Sequence, residues 1–113
     1  MPLIYKISPA NAWRDAEAAG VHTGAPVDLA DGFIHFSAAS QLRETAAKHF
    51  HGQADLLLIA VETDALGDAL KWEPSRGGAL FPHLYADLPM SAVVWAKPLS
   101  LGDDGVHRFP EGL

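Results

Sequence analysis

The feature that most constrains the fold of this chain is an unbroken aliphatic run at residues 56–61. A run of this length with no polar residue on either alternating face is typical of a strand buried on both sides. We therefore expect the chain to fold around a β-sheet that has this strand in its interior.

The remaining segments predict a sheet accompanied by two main helices. Further short apolar runs, separated by glycine and proline, predict strands over 3–7, 33–36, 70–73, 81–85 and 92–99. The alanine-rich segment from Ala10 to Ala19 and the segment 38–51 predict helices, the second because Leu42, Ala46 and Phe50 recur every four residues. Strands and helices do not alternate regularly, which predicts an α+β fold with a mixed or mostly antiparallel sheet and both helices on one side.

Length and composition exclude several classes of protein. The 113 residues predict a single domain over 1–101 with a loosely ordered tail at 102–113. A formal net charge of -6 argues against general nucleic-acid binding, and the absence of cysteine excludes disulfides and thiolate metal sites. No apolar run reaches the ~20 residues of a membrane span. The expectation is a cytoplasmic protein with no membrane association.

Two histidines in apolar surroundings mark the candidate site. His35 and His83 each follow a glycine turn and lie in a short aromatic run, where burial is costly unless the ring nitrogens find partners. Alternation places Ser37 on the face of His35 and Tyr85 on the face of His83. If the two strands are neighbours, we expect the imidazoles to lie within about 10 Å of each other in one pocket.

Each of these residues also has a purely structural interpretation. His35 can simply satisfy a backbone carbonyl in the core, and Ser37 can simply cap the helix that follows. In the functional interpretation, the helix start at Ser37 attracts an anion such as phosphate.

A second candidate segment follows the predicted strand 70–73. Trp72, or Phe81 on the next strand, could stack on a planar ring. Arg76 could hold a phosphate or carboxylate, and Glu73 could be a general base or merely pair with Arg76 on the surface. His49 and His51, two positions apart on a helix, point in different directions, and no spacing matches a zinc site, so no metal is expected.

Several of these motifs together resemble a known bacterial family. The chain resembles the family called domain of unknown function 952 from about residue 3 to residue 99, and that family has no established activity. The motifs that carry the resemblance are residues 4–7 (IYKI), Trp13, residues 31–37 (DGFIHFS), Gln41, residues 71–73 (KWE) and residues 81–85 (FPHLY).

Members of that family look like small versions of the ADP-ribosyltransferase fold, in which a split β-sheet cradles NAD. In this resemblance Tyr5 and Lys6 take the position of a first motif that usually contains histidine or arginine. The strand 34–37 is similar to the second motif, and also to the histidine-containing strand of RNA 2′-phosphotransferases. The third motif usually supplies a glutamate, which residues 83–85 lack, so Glu73 would have to serve from a neighbouring element.

The resemblance implies that a His-containing pocket binds NAD or another nucleotide, with ADP-ribosyl- or phospho-transferase-like activity. The implied catalytic residues are His35, Glu73 and His83. The implied ligand-binding residues are Tyr5, Lys6, Ser37, Trp72, Arg76, Phe81 and Tyr85. Two alternatives stay open: a ligand-binding module without catalysis, which the missing glutamate favours, and a structural or interaction domain.

Overall fold

A four-stranded antiparallel sheet forms the centre of the structure, a computed structural model that describes residues 3–75, 77–111 and 113. The strands lie in the order β1 (Leu3–Pro9), β4 (Leu56–Glu62), β8 (Val93–Leu101) and β9 (His107–Arg108). The predicted interior strand is confirmed, because residues 56–61 are buried except for the half-buried Leu57.

A second, three-stranded sheet lies next to β1, at the edge of the first sheet. Its strand order is β3 (Ile34–His35), β6 (Ala79–Leu84) and β5 (Leu70–Ser75), again antiparallel. Tyr5 and Ser37 exchange two backbone hydrogen bonds of 2.8 Å, which tie the two sheets together. The short strands β2 (Val21–His22) and β7 (Leu88–Pro89) pair with each other. The α+β class and the antiparallel sheet are therefore confirmed, and the sheet is curled.

The two main helices lie on opposite faces of the central sheet. Trp13 of α1 (Ala10–Ala19) packs with Ile59, whereas Leu42 of α3 (Leu42–His49) packs with Leu58. The expectation that both helices cover one side was wrong, because alternate residues of β1 and β4 are apolar on both faces and each face needs a cover.

The structure contains a third helix, α2 (Pro26–Asp31), where the sequence analysis placed no element. The segment predicted as one helix over 38–51 instead begins with a 3₁₀ turn at Ala39–Gln41 and continues as α3. Ser37 does not cap it; the Ser37 hydroxyl lies 3.1 Å from the hydroxyl of Thr45. Further 3₁₀ turns lie at Thr63–Ala65, Gly67–Ala69 and Met90–Ala92.

The segment after β8 is held more firmly than the sequence suggested. β9 pairs with β8, and the buried His107 lies with its Nε2 2.8 Å from the carbonyl oxygen of Gln53. Phe109 packs against the core beneath α3. These contacts explain why a segment rich in glycine and aspartate keeps a defined path.

Candidate functional site

A cavity of about 910 Å³ borders β1 and residues 35–37, where the two sheets meet. Its wall is mostly apolar, and it includes segments of α1, β2, α2, α3 and β6. Every buried polar residue in the described part of the chain except His107 lies on this wall: Lys6, Ser8, His22, Asp28, Ser37, Thr45 and His83. Buried polar groups are expensive, so their concentration on one cavity marks the candidate site.

Asp28 is the centre of the hydrogen-bond network in this cavity. Its Oδ2 accepts a hydrogen bond of 2.7 Å from the backbone N–H of Ala25 at the start of α2, and one of 3.2 Å from Lys6 Nζ. Its Oδ1 accepts a hydrogen bond of 3.1 Å from the backbone N–H of His35 and lies 2.6 Å from His35 Nδ1. Asp28 is the one buried residue of α2, so this helix is attached to the protein by a carboxylate rather than by an apolar face.

The charges of Lys6 and Asp28 depend on each other. Burial lowers the pKa of Lys6, and the neighbouring Asp28 carboxylate opposes that shift. Burial would by itself raise the pKa of Asp28, but the hydrogen bond from His35 and the charge of Lys6 outweigh it and hold this pKa well below its usual range. Asp28 is therefore ionised at neutral pH.

His35 lies between two carboxylates. Its Nδ1 faces Asp28, and its Nε2 lies 2.9 Å from Oδ2 of Asp31, which is about half exposed at the end of α2. An ionised carboxylate only accepts hydrogen bonds. Both contacts are therefore hydrogen bonds when the imidazole carries both of its protons, which makes His35 a proton donor in this arrangement.

His83 stands directly opposite His35 on the neighbouring strand. The ring centroids are 5.6 Å apart, which confirms the predicted proximity of the two imidazoles. Nδ1 of His83 lies 2.9 Å from Oε1 of Glu73, and the same oxygen accepts a hydrogen bond of 2.7 Å from the Tyr85 hydroxyl. The bond from Tyr85, followed by that from His83, lowers the pKa of Glu73, and Glu73 in turn raises the pKa of Tyr85.

Phe33 holds the two imidazoles from one side. Its ring stacks on His83 with centroids 4.0 Å apart, and it lies 4.6 Å from the His35 ring and 5.3 Å from the Tyr85 ring. Each histidine is thus oriented by an aromatic ring and by its own carboxylate at Nδ1. The geometry is that of two carboxylate–histidine dyads side by side, which is an arrangement suited to proton transfer.

The structure brings most, but not all, of the predicted site residues together. Those on the cavity wall are Tyr5, Lys6, His35, Ser37, Phe81 and His83. The ring of Tyr5 also lies against Trp95, with centroids 6.0 Å apart. Glu73 and Tyr85 stand behind His83 rather than on the wall. Arg76 lies outside the described residues.

Trp72 is not part of the cavity wall. It faces Pro82 in the pairing of β5 with β6, one position from Glu73, so its side chain points to the other face of the sheet from His83. Its side chain is about half exposed there. The predicted grouping of Trp72 with Phe81 at one pocket therefore does not occur.

Sequence reasoning missed Asp28, Asp31 and His22. Asp28 and Asp31 were overlooked because α2 has six residues and no apolar stripe. Two residues could have revealed the helix α2. Pro26 occupies its first helical position, and Gly32, with a φ of 86°, directly follows its last residue. His22 is buried on the cavity wall, and burial, with Lys6 nearby, lowers its pKa.

No group of three or more histidine, aspartate or glutamate side chains in the described chain is arranged to hold a metal ion. Among those same residues, no helix is long and apolar enough to cross a membrane.

Comparison with known proteins identifies the family. The family model described as "Protein of unknown function (DUF952)" matches residues 7–96. This chain belongs to the DUF952 family. No curated protein matches the chain.

The chain is similar to solved structures of protein CC0527 from Caulobacter crescentus. Its crystal structure has a sequence 57% identical to this one. The alignment covers 94% of this chain and 93% of the CC0527 chain, with a TM-score of 0.90. For its solution NMR structure the sequence identity is 55%. That alignment covers 100% of this chain and 97% of the CC0527 chain, with a TM-score of 0.88. The fold is therefore shared with an experimentally determined structure.

Proposed function

We propose that the cavity binds a nucleotide-like small molecule, with NAD as the first candidate and with proton transfer by His35 and His83. The observation that carries the proposal is the convergence of the buried polar residues on one largely apolar cavity. Its volume of about 910 Å³ is within the range of cavities that hold cofactors and drug-sized ligands.

The proposed contacts follow from the wall of the cavity. Phe81 and the apolar wall would pack against the flat part of the ligand, and Lys6 and Ser37 would contact its polar groups. The choice of a nucleotide over other ligands of this size follows the ADP-ribosyltransferase resemblance, in which Lys6 replaces the usual histidine or arginine of the first motif and His35 lies in the strand similar to the second. Tyr5 would contribute to the same wall.

The proposed catalytic group is the pair of dyads. His35 is held by Asp28 and His83 by Glu73, both through Nδ1. Since these contacts fix the orientation of each ring, Nε2 is the atom that would exchange a proton with the ligand. Glu73 would act as a positioning residue rather than contact the ligand.

A thermal-shift experiment with NAD, ADP-ribose and AMP tests the proposal. A ligand present at 100 times its Kd stabilises the folded state by ~2.7 kcal/mol, which raises Tm by about 10 °C in a domain of this size. The informative variant is His35→Asn, because the asparagine amide can replace Nδ1 as the donor to Asp28 while Nε2 is lost. His51→Asn is the control, since His51 is exposed and is not on the wall of this cavity.

We expect the wild type and His51→Asn to be stabilised by at least one of the three compounds, and His35→Asn to lose that response with little change in its own Tm. If no compound stabilises the wild type, the residues satisfy one another as a structural core, and the binding proposal is wrong.

A further inference from the structure

His35 and His83 differ in the groups that lie near Nε2, and this difference gives each histidine a different role in proton transfer. His35 has a carboxylate at each ring nitrogen, so both of its protons are stabilised. Among the described residues, His83 has a carboxylate at Nδ1 alone; it is more deeply buried than His35, and its ring centroid lies 5.6 Å from that of His35. An ionised carboxylate only accepts hydrogen bonds. The geometry therefore makes Nε2 of His35 a proton donor and leaves Nε2 of His83 as the atom that can accept a proton.

A proton-donating imidazole beside a proton-accepting one supplies an acid and a base to the same ligand. Such a pair serves reactions in which the nucleophile must lose a proton and the leaving group must gain one. The half-exposed Asp31 lies 2.9 Å from Nε2 of His35, and a leaving group entering the cavity would replace Asp31 as the acceptor of the Nε2 proton.

The charges on the cavity wall indicate which reaction the pair would serve. The carboxylates on the wall are Asp15, Asp28 and Asp31, and the cations are the ammonium of Lys6 and the His35 ring in its proton-donating form, so three carboxylates face two cations. Of the wall histidines, His22 is kept neutral by burial and by Lys6. An excess of fixed negative charge stabilises a transition state that becomes more positive, such as a ribosyl oxocarbenium ion, and it disfavours one that gains negative charge.

We propose that this cavity hydrolyses the N-glycosidic bond of an uncharged ribonucleoside, with His35 as the acid and His83 as the base. This inference rests on the proposed nucleotide-like ligand and narrows it: the substrate that is cleaved is an uncharged ribonucleoside instead of NAD. A positively charged pyridinium departs with its electron pair without needing a proton, whereas a neutral base needs one. A dedicated proton donor at His35 therefore points to a neutral nucleoside as the substrate.

The proposed step is balanced within the site. The C1′–N bond breaks, and its electron pair remains on the base nitrogen, which takes the Nε2 proton of His35. The oxygen of a water molecule bonds to C1′ and gives a proton to Nε2 of His83. The products are the free base and ribose, and exchange with solvent returns the proton from His83 to His35.

Two substrates separate the roles of the histidines. Inosine needs a proton on its leaving base, whereas p-nitrophenyl β-D-ribofuranoside releases a stable phenolate without one. The variants His35→Asn and His83→Asn each keep an amide donor to the carboxylate at Nδ1 and lack Nε2, and His51→Asn is the control. Release of hypoxanthine and of p-nitrophenol is measured for each protein.

We expect the wild type and His51→Asn to cleave both substrates. His35→Asn should cleave inosine about 10²–10⁴-fold more slowly and the aryl riboside less than about tenfold more slowly. His83→Asn should cleave both about 10²-fold or more slowly. Equal losses for both substrates in His35→Asn would contradict the acid role.

Binding measured on the same samples separates this inference from the binding proposal. If inosine raises the Tm of the wild type but is not cleaved, the hydrolysis inference is wrong and ligand binding at the cavity stands. If inosine and the nucleotides neither bind nor react, both are wrong.

Discussion

Replacing Asp28 with alanine removes the group on which the cavity network depends. The substitution deletes the ion pair with Lys6 and the acceptor for the N–H groups of Ala25 and His35 and for the His35 ring. Removing one partner of a buried pair leaves the other charge uncompensated and costs about 3–5 kcal/mol. Because a domain of this size has a total stability of about 5–15 kcal/mol, we expect a large loss that still leaves a folded protein to measure.

A double-mutant cycle with Lys6→Met isolates the ion pair. Lys6→Met leaves Asp28 with three hydrogen-bond contacts, from Ala25 and His35, so its cost should be smaller, about 1–3 kcal/mol. In Asp28→Ala the Lys6 ammonium keeps its hydrogen bond of 3.2 Å to the carbonyl oxygen of His35 but loses its counter-charge, which is the main penalty. Adding Lys6→Met removes that buried charge. The double variant should therefore be less destabilised than the sum of the single variants by about 1–3 kcal/mol.

Urea unfolding at pH 7 measures these free energies, and Asp31→Ala is the matched control. Asp31 is also on α2 and also contacts His35, but it is about half exposed, so its removal should cost about 0–1 kcal/mol. A cost below about 1 kcal/mol for Asp28→Ala, or strict additivity in the cycle, would refute the buried ion pair as the attachment of α2.

The same variants carry a pH prediction. The pKa of Asp28 is lower in the folded protein than in the unfolded chain, so its contribution is complete above the unfolded value of about 3.9 and is lost as the pH falls below it. The difference in stability between wild type and Asp28→Ala should therefore shrink as the pH falls below about 4. A difference that persists unchanged into acid would contradict the ionised state of Asp28.

Two further substitutions test the surroundings of His83. Tyr85→Phe removes the hydroxyl that donates to Glu73, so the pKa of Glu73 should rise toward its ordinary value, which carboxyl-detected NMR titration measures; an unchanged value would contradict the contact. Trp72→Ala should leave the ligand-induced change in Tm intact, because Trp72 lies on the other face of the sheet, and loss of the response would place Trp72 in the site after all.

The elements that sequence reasoning predicted are those whose pattern is local. The interior strand β4 follows from an aliphatic run, and α1 follows from an alanine-rich segment that ends at Gly20, whose φ is 81°. The pairing of His35 with His83 was also within reach, because both motifs place a histidine among apolar strand residues. Local hydrophobicity is sufficient to locate buried strand residues such as these, because a run of apolar residues in the sequence indicates burial.

The burial of Asp28 could not be predicted from the sequence, for a different reason. A carboxylate in a six-residue helix has the local signature of an exposed loop residue, and its burial depends on Lys6, which is distant in sequence. Lys6 itself was expected at the site only through the family resemblance. A buried ion pair is defined by contacts between segments, so neither residue alone carries a signal for it.

The error over Trp72 shows how strand register decides membership of the site. Sequence proximity groups Trp72 with Glu73, but adjacent residues of a strand point to opposite faces. Once Glu73 is bonded to His83, Trp72 must lie on the far side of the same sheet. Only one of Glu73 and Trp72 can lie on the face of the sheet that carries His83. The hydrogen bond from His83 to Glu73 shows that it is Glu73. An aromatic platform for a ligand must therefore come from the wall itself, where Phe81 lies two positions from His83 on β6 and on the same face.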